Sequence, residues 1–194
     1  MTQTITAVIL AHRHSDHFLL KSKLTTPSKV MSVMDRLLET LNTFFSRILL
    51  VAPAVFPFLE NDIEVVTPLM NRPEPIGSMA AIHAGLFYAA SPYAFFCRLD
   101  RPFLNPDLVQ HLCACCHEGL DFILPQTPFG WEPLCAVYSQ RCLESLEHHL
   151  NSNRLSIMRA LKKRPTRIIS KEKLRQLDPQ MRSFVNVYGL NYVK

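Results

Sequence analysis

The sequence predicts an α/β domain: a doubly wound, mainly parallel sheet with helices on both faces. Three observations carry this. Short apolar, β-branched runs alternate with longer segments whose apolar residues recur every three or four positions. A chain of 194 residues suits one domain, able to bury roughly 70% of its unfolded surface. Hydrophobic residues make up 48% and charged residues 19%, which supplies a core and excludes a disordered chain. Residues 1–194 are therefore read as a single domain. The 5 glycines and 14 prolines exclude collagen-like and Gly-rich architectures.

The elements follow in order. Thr6 to Ala11 is apolar and reads as a buried strand, and a polar, histidine-rich loop from His12 to Thr26 follows it. Pro27 and Ser28 open a helix in which Met31, Met34, Leu37, Leu38, Leu41 and Phe45 fall on one face. Arg47–Val51 and Ile63–Val66 are two further buried strands. Gly77–Ala90 is an alanine-rich helix, and Ala94–Leu99 is the most apolar strand, ending at Asp100. Pro106–His117 is a helix with proline in its first turn. Asp121–Leu124 and Leu134–Tyr138 are strands, separated by a loop containing Gly130. Gln140–Leu150 and Arg154–Lys163 are helices, and Arg167–Ser170 and Ser183–Tyr188 are short late strands.

No apolar run reaches the roughly 20 residues of a membrane helix; the longest, Ile48 to Leu59, is interrupted by Pro53 and Pro57. The N-terminus lacks a basic region and a long apolar run, so the simplest location is the cytoplasm. The crowding of Cys113, Cys115 and Cys116 among 6 cysteines fits reduced thiols. The net charge of +5 is uneven. Arg154 to Arg182 carries ten basic residues against Glu172 and Asp178, and the rest of the chain is net acidic. Such a stretch is either a solvated helical face or a surface for a polyanion. No aromatic residue interleaves with the basic ones before Phe184, which argues against single-stranded nucleic acid as the partner.

In sheets of this kind the ligand crevice lies beyond the carboxyl ends of the strands. That places the loops His12–Thr26, Thr67–Pro75 and Asp100–Asn105 at the crevice. Asp100 is the most informative residue. A hard anionic carboxylate ending a central strand suits Mg²⁺ held against substrate phosphates. Arg98 and Arg101 flank it, and alternation puts Arg98 and Asp100 on one face. The competing reading is a surface Asp in an ion pair with one of these arginines.

Four segments in register carry a resemblance. They are Leu10-Ala11; Gly77-Ser78-Met79-Ala80-Ala81-Ile82-His83-Ala84-Gly85-Leu86; Leu99-Asp100-Arg101-Pro102-Phe103-Leu104; and Glu132-Pro133-Leu134-Cys135-Ala136-Val137-Tyr138. Together they resemble the molybdenum cofactor guanylyltransferase family, with its G-P-L-A-G-I-x-A-G-L-like, C-D-M-P-F-L-like and E-P-L-x-A-x-Y-like segments. Phe184-Val185-Asn186-Val187 is similar to the family's closing F-x-N-x-N-T segment. The resemblance implies a Rossmann-like nucleotidyltransferase that transfers GMP from GTP to molybdopterin and releases pyrophosphate. It implies Mg²⁺ on Asp100, with Lys23 as the phosphate-binding lysine and second catalytic residue. Leu10, Ala11, His12, Arg13 and Lys23 would meet the triphosphate, and Gly77, Ser78 and Ala80 the guanine. Other cofactor-biosynthesis proteins are the partners it brings into view.

The departures are concentrated in one loop. The family's L-A-G-G-x-S-x-R-M-G, followed by D-K, reads here as Leu10-Ala11-His12-Arg13-His14-Ser15-Asp16-His17-Phe18-Leu19-Leu20-Lys21-Ser22-Lys23. Its glycines, which let backbone N–H groups close on phosphate, are absent. Two readings follow: a diverged transferase in which Arg13, Lys21 and Lys23 hold the phosphates, or a non-catalytic nucleotide- or cofactor-binding homologue.

Two clusters suggest metal ligands. His12, His14, Asp16 and His17 share one loop, an arrangement that rarely turns every ligand inward. His111 pairs by helical spacing with Cys115, and Cys113 with His117, on different faces, so buried thiols are the simpler reading. No G-x-S-x-G turn marks a serine nucleophile. Trp131, beside Glu132, reads equally as a stacking cap on a pocket or as a lid.

Overall fold

A computed structural model describes residues 4–11, 27–52, 63–68 and 77–186. Four parallel strands form one half of the sheet: β1 (Ile5–Leu10), β2 (Ile48–Val51), β3 (Glu64–Val66) and β4 (Tyr93–Arg98). The other half holds β5 (Phe122–Thr127), β6 (Gly130–Trp131), β7 (Ala136–Ser139) and β8 (Thr166–Ile169). The strand order is β3-β2-β1-β4-β7-β5-β6, with β8 paired to β5. Between β1 and β4 the winding reverses, because β2 and β3 continue to one side and the later strands to the other.

The predicted alternation is present with one change of direction. β7 runs antiparallel between β4 and β5. A tight turn at Thr127–Gly130 causes this: Thr127 Oγ1 accepts from Phe129 N at 3.2 Å and donates to the Gly130 carbonyl at 3.0 Å. Gly130 there has φ of 131°, open to glycine and costly for other residues. β5 and β8 are parallel, so the sheet is mixed but mostly parallel.

The helices are α1 (Pro27–Asn42), α2 (Ser78–Ala89), α3 (Pro106–Ala114), α4 (Leu143–Asn151), α5 (Ile157–Ala160) and α6 (Lys171–Leu177). Strand residues alternate between two cores. Ala7, Ile9, Phe95 and Cys97 pack with Met34, Leu37 and Leu41 of α1, Leu108 and Leu112 of α3, and Leu174 of α6. Val8, Leu10, Ala94 and Phe96 pack with Met79, Ile82 and Leu86 of α2 and with Leu146 and Leu150 of α4. Both sheet faces are thus covered, which is why β1 and β4 are apolar at nearly every position.

Several boundaries differ from the expectations above. The helix expected over Arg154–Lys163 shrinks to α5, which with Leu161 holds the run's contacts with the core: Ala160 and Leu161 are buried, and Ile157 and Met158 pack partly buried against them. The last expected strand, Ser183–Tyr188, is instead a 3-10 turn at Arg182–Phe184 within the described residues. Asp178 fixes that turn by accepting from Arg182 N at 3.2 Å and Ser183 N at 2.9 Å. α6 was not anticipated. Ser170 caps it by accepting from Lys173 N at 3.3 Å, and it anchors through Leu174.

Candidate functional site

The carboxyl ends of β1, β2, β3 and β4 lie on one side of the sheet, with the winding reversal between β1 and β4. A crevice forms beyond such a point because the chain leaves the two central strands toward opposite sides. Leu10 ends β1 opposite Arg98, the last residue of β4. The Leu99 N–H donates to the Leu10 carbonyl at 3.0 Å, and the Ala11 N–H to Val51 at 2.9 Å. Strand pairing therefore continues to the rim and brings Ala11 level with Leu99, one residue before Asp100. α2 starts on the same side after β3, with Gly77 in extended backbone as its cap. The Gly77 carbonyl accepts from Ala80 N at 2.9 Å, and Ser78 is the first helical residue.

Asp100 is buried, its side chain 2% exposed, and bound by Arg98, which is 20% exposed. Arg98 Nε donates to Oδ1 at 2.8 Å and Nη2 to Oδ2 at 2.5 Å, a two-pronged contact. The shared face read from strand alternation is thus present, and so is the ion pair weighed against it. The Asp is buried rather than on the open surface.

The next residue turns the other way. Arg101 Nη1 donates to Glu132 Oε2 at 2.6 Å, so the loop after β4 is tied to the loop between β6 and β7. Below the pair lies Cys135, whose thiol burial pushes up to about 12, with Arg101 pulling it back. Cys97 is likewise pushed well above the ordinary thiol range by burial. Burial therefore disfavours the thiolate, the nucleophilic form, at both.

On the α1 and α3 side, Phe103 lies between two guanidinium groups, Arg36 at 5.8 Å and Arg182 at 5.9 Å from its ring centre. Asn105 caps α3 by accepting from Asp107 N at 2.8 Å, and its own N–H donates to Ser183 Oγ at 2.9 Å. The C-terminal turn is thereby fastened to the loop that carries Asp100.

Of the residues predicted for the site, Leu10, Ala11, Gly77, Ser78, Ala80 and Asp100 all belong to this end of the sheet. His12, Arg13, Lys21 and Lys23 lie outside the described residues, as does the rest of the His12–Thr26 cluster. His111 Nε2 lies 3.9 Å from Cys115 Sγ, as the helical spacing required, but no trio of His, Cys, Asp or Glu among the described residues forms a metal site. Trp131 is partly exposed in β6, beside Phe129, which is 96% exposed at the hairpin tip. The basic stretch Arg154–Arg182 is mostly solvated, with Lys162, Lys163, Arg167 and Arg175 exposed. No helix among the described residues is long and apolar enough to cross a membrane.

As a donor set this end of the sheet suits Mg²⁺ in one particular way. It offers a single hard carboxylate, and Mg²⁺ commonly takes one or two carboxylates and completes its shell from water and substrate phosphates. Asp100 fits that pattern; an all-protein cage does not form among the described residues.

Comparison with known proteins agrees with this architecture. The chain is 33% identical over 183 residues to a molybdenum cofactor guanylyltransferase of Desulfosudis oleivorans, covering 94% of this chain and 89% of that protein. A protein of the same name from Syntrophotalea carbinolica is 30% identical over 151 residues, covering 77% and 70% of the two chains. Among solved structures, the molybdopterin-guanine dinucleotide biosynthesis protein A of Archaeoglobus fulgidus superposes with a TM-score of 0.67 at 22% identity, covering 95% of this chain and 92% of that one. A 2-C-methyl-D-erythritol 4-phosphate cytidylyltransferase of Thermus thermophilus shares the fold at a TM-score of 0.58 and 11% identity, covering 84% and 87%. Residues 7–168 match the MobA-like NTP transferase domain, and the chain belongs to that family.

Proposed function

We propose that the chain, as one domain over residues 1–194, transfers GMP from GTP to molybdopterin. The observation that carries this reading is the buried Asp100 carboxylate at the end of β4, beside the end of β1, in a chain whose relatives are named for that activity. Asp100 holds Mg²⁺, which neutralises charge on the phosphates when bound. Lys23 and Arg13 bind the triphosphate as cations, doing with side chains what a Gly-rich loop does with backbone N–H groups. Leu10, Ala11 and His12 meet the triphosphate, and Gly77, Ser78 and Ala80 meet the guanine. A terminal phosphate oxygen of the acceptor attacks the α-phosphorus in line. The new O–P bond forms as the α–β anhydride breaks, and pyrophosphate leaves. The solvated basic stretch from Arg154 to Arg182 suits the polyanionic acceptor or another protein of cofactor biosynthesis.

A second reading rests on the opening loop. His12 and Arg13 place bulky side chains where glycines stand in the family, so the chain would bind nucleotide or cofactor without turning it over. Calorimetry separates the two. The transferase binds GTP with Mg²⁺ and loses that binding in Asp100→Ala. No heat at millimolar GTP overturns the enzyme. Binding of GTP without release of pyrophosphate, with molybdopterin present, favours the binding module.

A further inference from the structure

We propose that Arg98 is a latch on Asp100: a divalent cation displaces it, and the released guanidinium turns to the phosphates of the nucleotide. The inference rests on the reading of Asp100 as the metal-holding carboxylate.

The geometry sets up a competition. Both carboxylate oxygens of Asp100 are engaged by Arg98, at 2.8 Å and 2.5 Å, through the fork of Nε and Nη2. Arg98 is the more exposed partner, 20% against 2%, so the guanidinium stands on the solvent side of a carboxylate that is otherwise enclosed. A cation arriving at Asp100 meets a group of its own sign. Arg98 cannot yield by losing its proton, because a guanidinium stays charged at any working pH. It must move. The same planar fork that fits a carboxylate fits a phosphate, so a triphosphate arriving with the cation offers Arg98 an equivalent partner. The strand register favours this, since Arg98 is paired with Leu10 at the end of β1, beside the place proposed for the triphosphate. The exchange leaves every charge compensated: the cation takes Asp100 and the phosphates take Arg98.

The consequence is coupled binding. The cation alone binds weakly because it must break the Arg98 contact without recompense, and the nucleotide supplies that recompense. Manganese titrations followed by electron paramagnetic resonance, on the full chain with and without GTP, read this directly. In Arg98→Met, Mn²⁺ alone binds about tenfold tighter than in the unmodified protein, and the gain from adding GTP shrinks by a similar factor. Loss of any nearby positive charge would tighten Mn²⁺ binding, so the shrunken gain from GTP is what marks the latch. A GTP gain that stays intact in Arg98→Met, or an unchanged Mn²⁺ affinity, overturns the latch. Should that variant fail to fold, Arg98→Lys decides: it keeps the charge, loses the fork, and shows a smaller tightening of the same sign, whereas no change overturns the proposal. Asp100→Asn separates this from the underlying reading. It abolishes Mn²⁺ binding in each background when Asp100 holds the metal, and binding that survives it overturns the metal assignment and the latch with it.

Discussion

Arg101 Nη1 donates to Glu132 Oε2 at 2.6 Å across 31 residues of sequence, with the two side chains only 12% and 18% exposed. This ion pair joins the loop that carries Asp100 to the loop that enters β7. It is imperfect: Arg101 Nε is buried with no acceptor among the described residues. Breaking a well-buried pair from one side typically costs about 3–5 kcal/mol, because the surviving charge is left uncompensated. Partial exposure lowers that, so Glu132→Ala is expected to destabilise the protein by about 2–3 kcal/mol in urea unfolding. Arg101→Met combined with Glu132→Leu should recover most of the loss, since the buried Nε goes with the charge. A double variant no more stable than Glu132→Ala contradicts this account.

A second prediction concerns how α2 meets the sheet. A methyl group on Gly85 would stand 2.6 Å from Val8 Cγ1 and 2.7 Å from Phe96 Cε1. Both neighbours are fully buried, one on β1 and the other on β4. Alanine gains about 1 kcal/mol over glycine in a helix, and overpacking a core costs about 1–3 kcal/mol. Two contacts this short put Gly85→Ala at the costly end, a net loss of about 1–2 kcal/mol. Adding Val8→Ala opens room for the methyl, so the double variant should fall short of the sum of its parts in thermal unfolding. Strict additivity would show that α2 does not press on Val8.

Much of this was legible because burial is periodic. β1 and β4 announce themselves by unbroken apolar runs, which only a strand covered on both faces can afford. α1 shows its core face by Met34, Leu37 and Leu41. Asp100 stood out because a carboxylate directly after such a run needs a partner, and Arg98 two residues earlier on the same face supplies one. The direction of β7 was not, since its residues alternate no differently in a parallel or an antiparallel neighbour. Only the tight turn at Thr127–Gly130 fixes it. α6 was hidden by composition: a single buried Leu174 in a lysine- and arginine-rich run gives no helical stripe. The Arg101–Glu132 pair escaped because distant charges carry no spacing by which to match them.

The cysteines provide a chemical check on the two cores. Burial pushes the Cys135 and Cys142 thiols up to about 12 and Cys97 well above the ordinary thiol range. The thiolate is the reactive form, so at pH 8 these three should react with iodoacetamide about a hundredfold or more slowly than a free cysteine. In urea all of the cysteines should label at ordinary rates. Peptide mass mapping with time assigns each site. Rapid native labelling of Cys97 or Cys135 would mean that the strand ends beneath Asp100 are open, contrary to the packing described.

His83 links the packing of α2 to pH. Burial lowers its pKa from the ordinary 6.5, and the nearby Glu147 opposes that only in part. The folded protein thus resists protonating His83, while the unfolded chain accepts the proton near the ordinary value. As pH falls below 6.5, the unfolded state gains a proton that the folded state does not take. Stability from this residue is therefore complete above that pH and drains away through the window down to the lowered folded value. His111 adds to the same slope, its pKa also lowered by burial and by Lys173 and Arg167. Melting temperature should consequently fall between pH 7 and pH 5, and His83→Gln, which carries no titrating proton, should flatten that fall. Parallel melting curves for the two proteins across this range would place the acid sensitivity elsewhere, in the carboxylates rather than on α2.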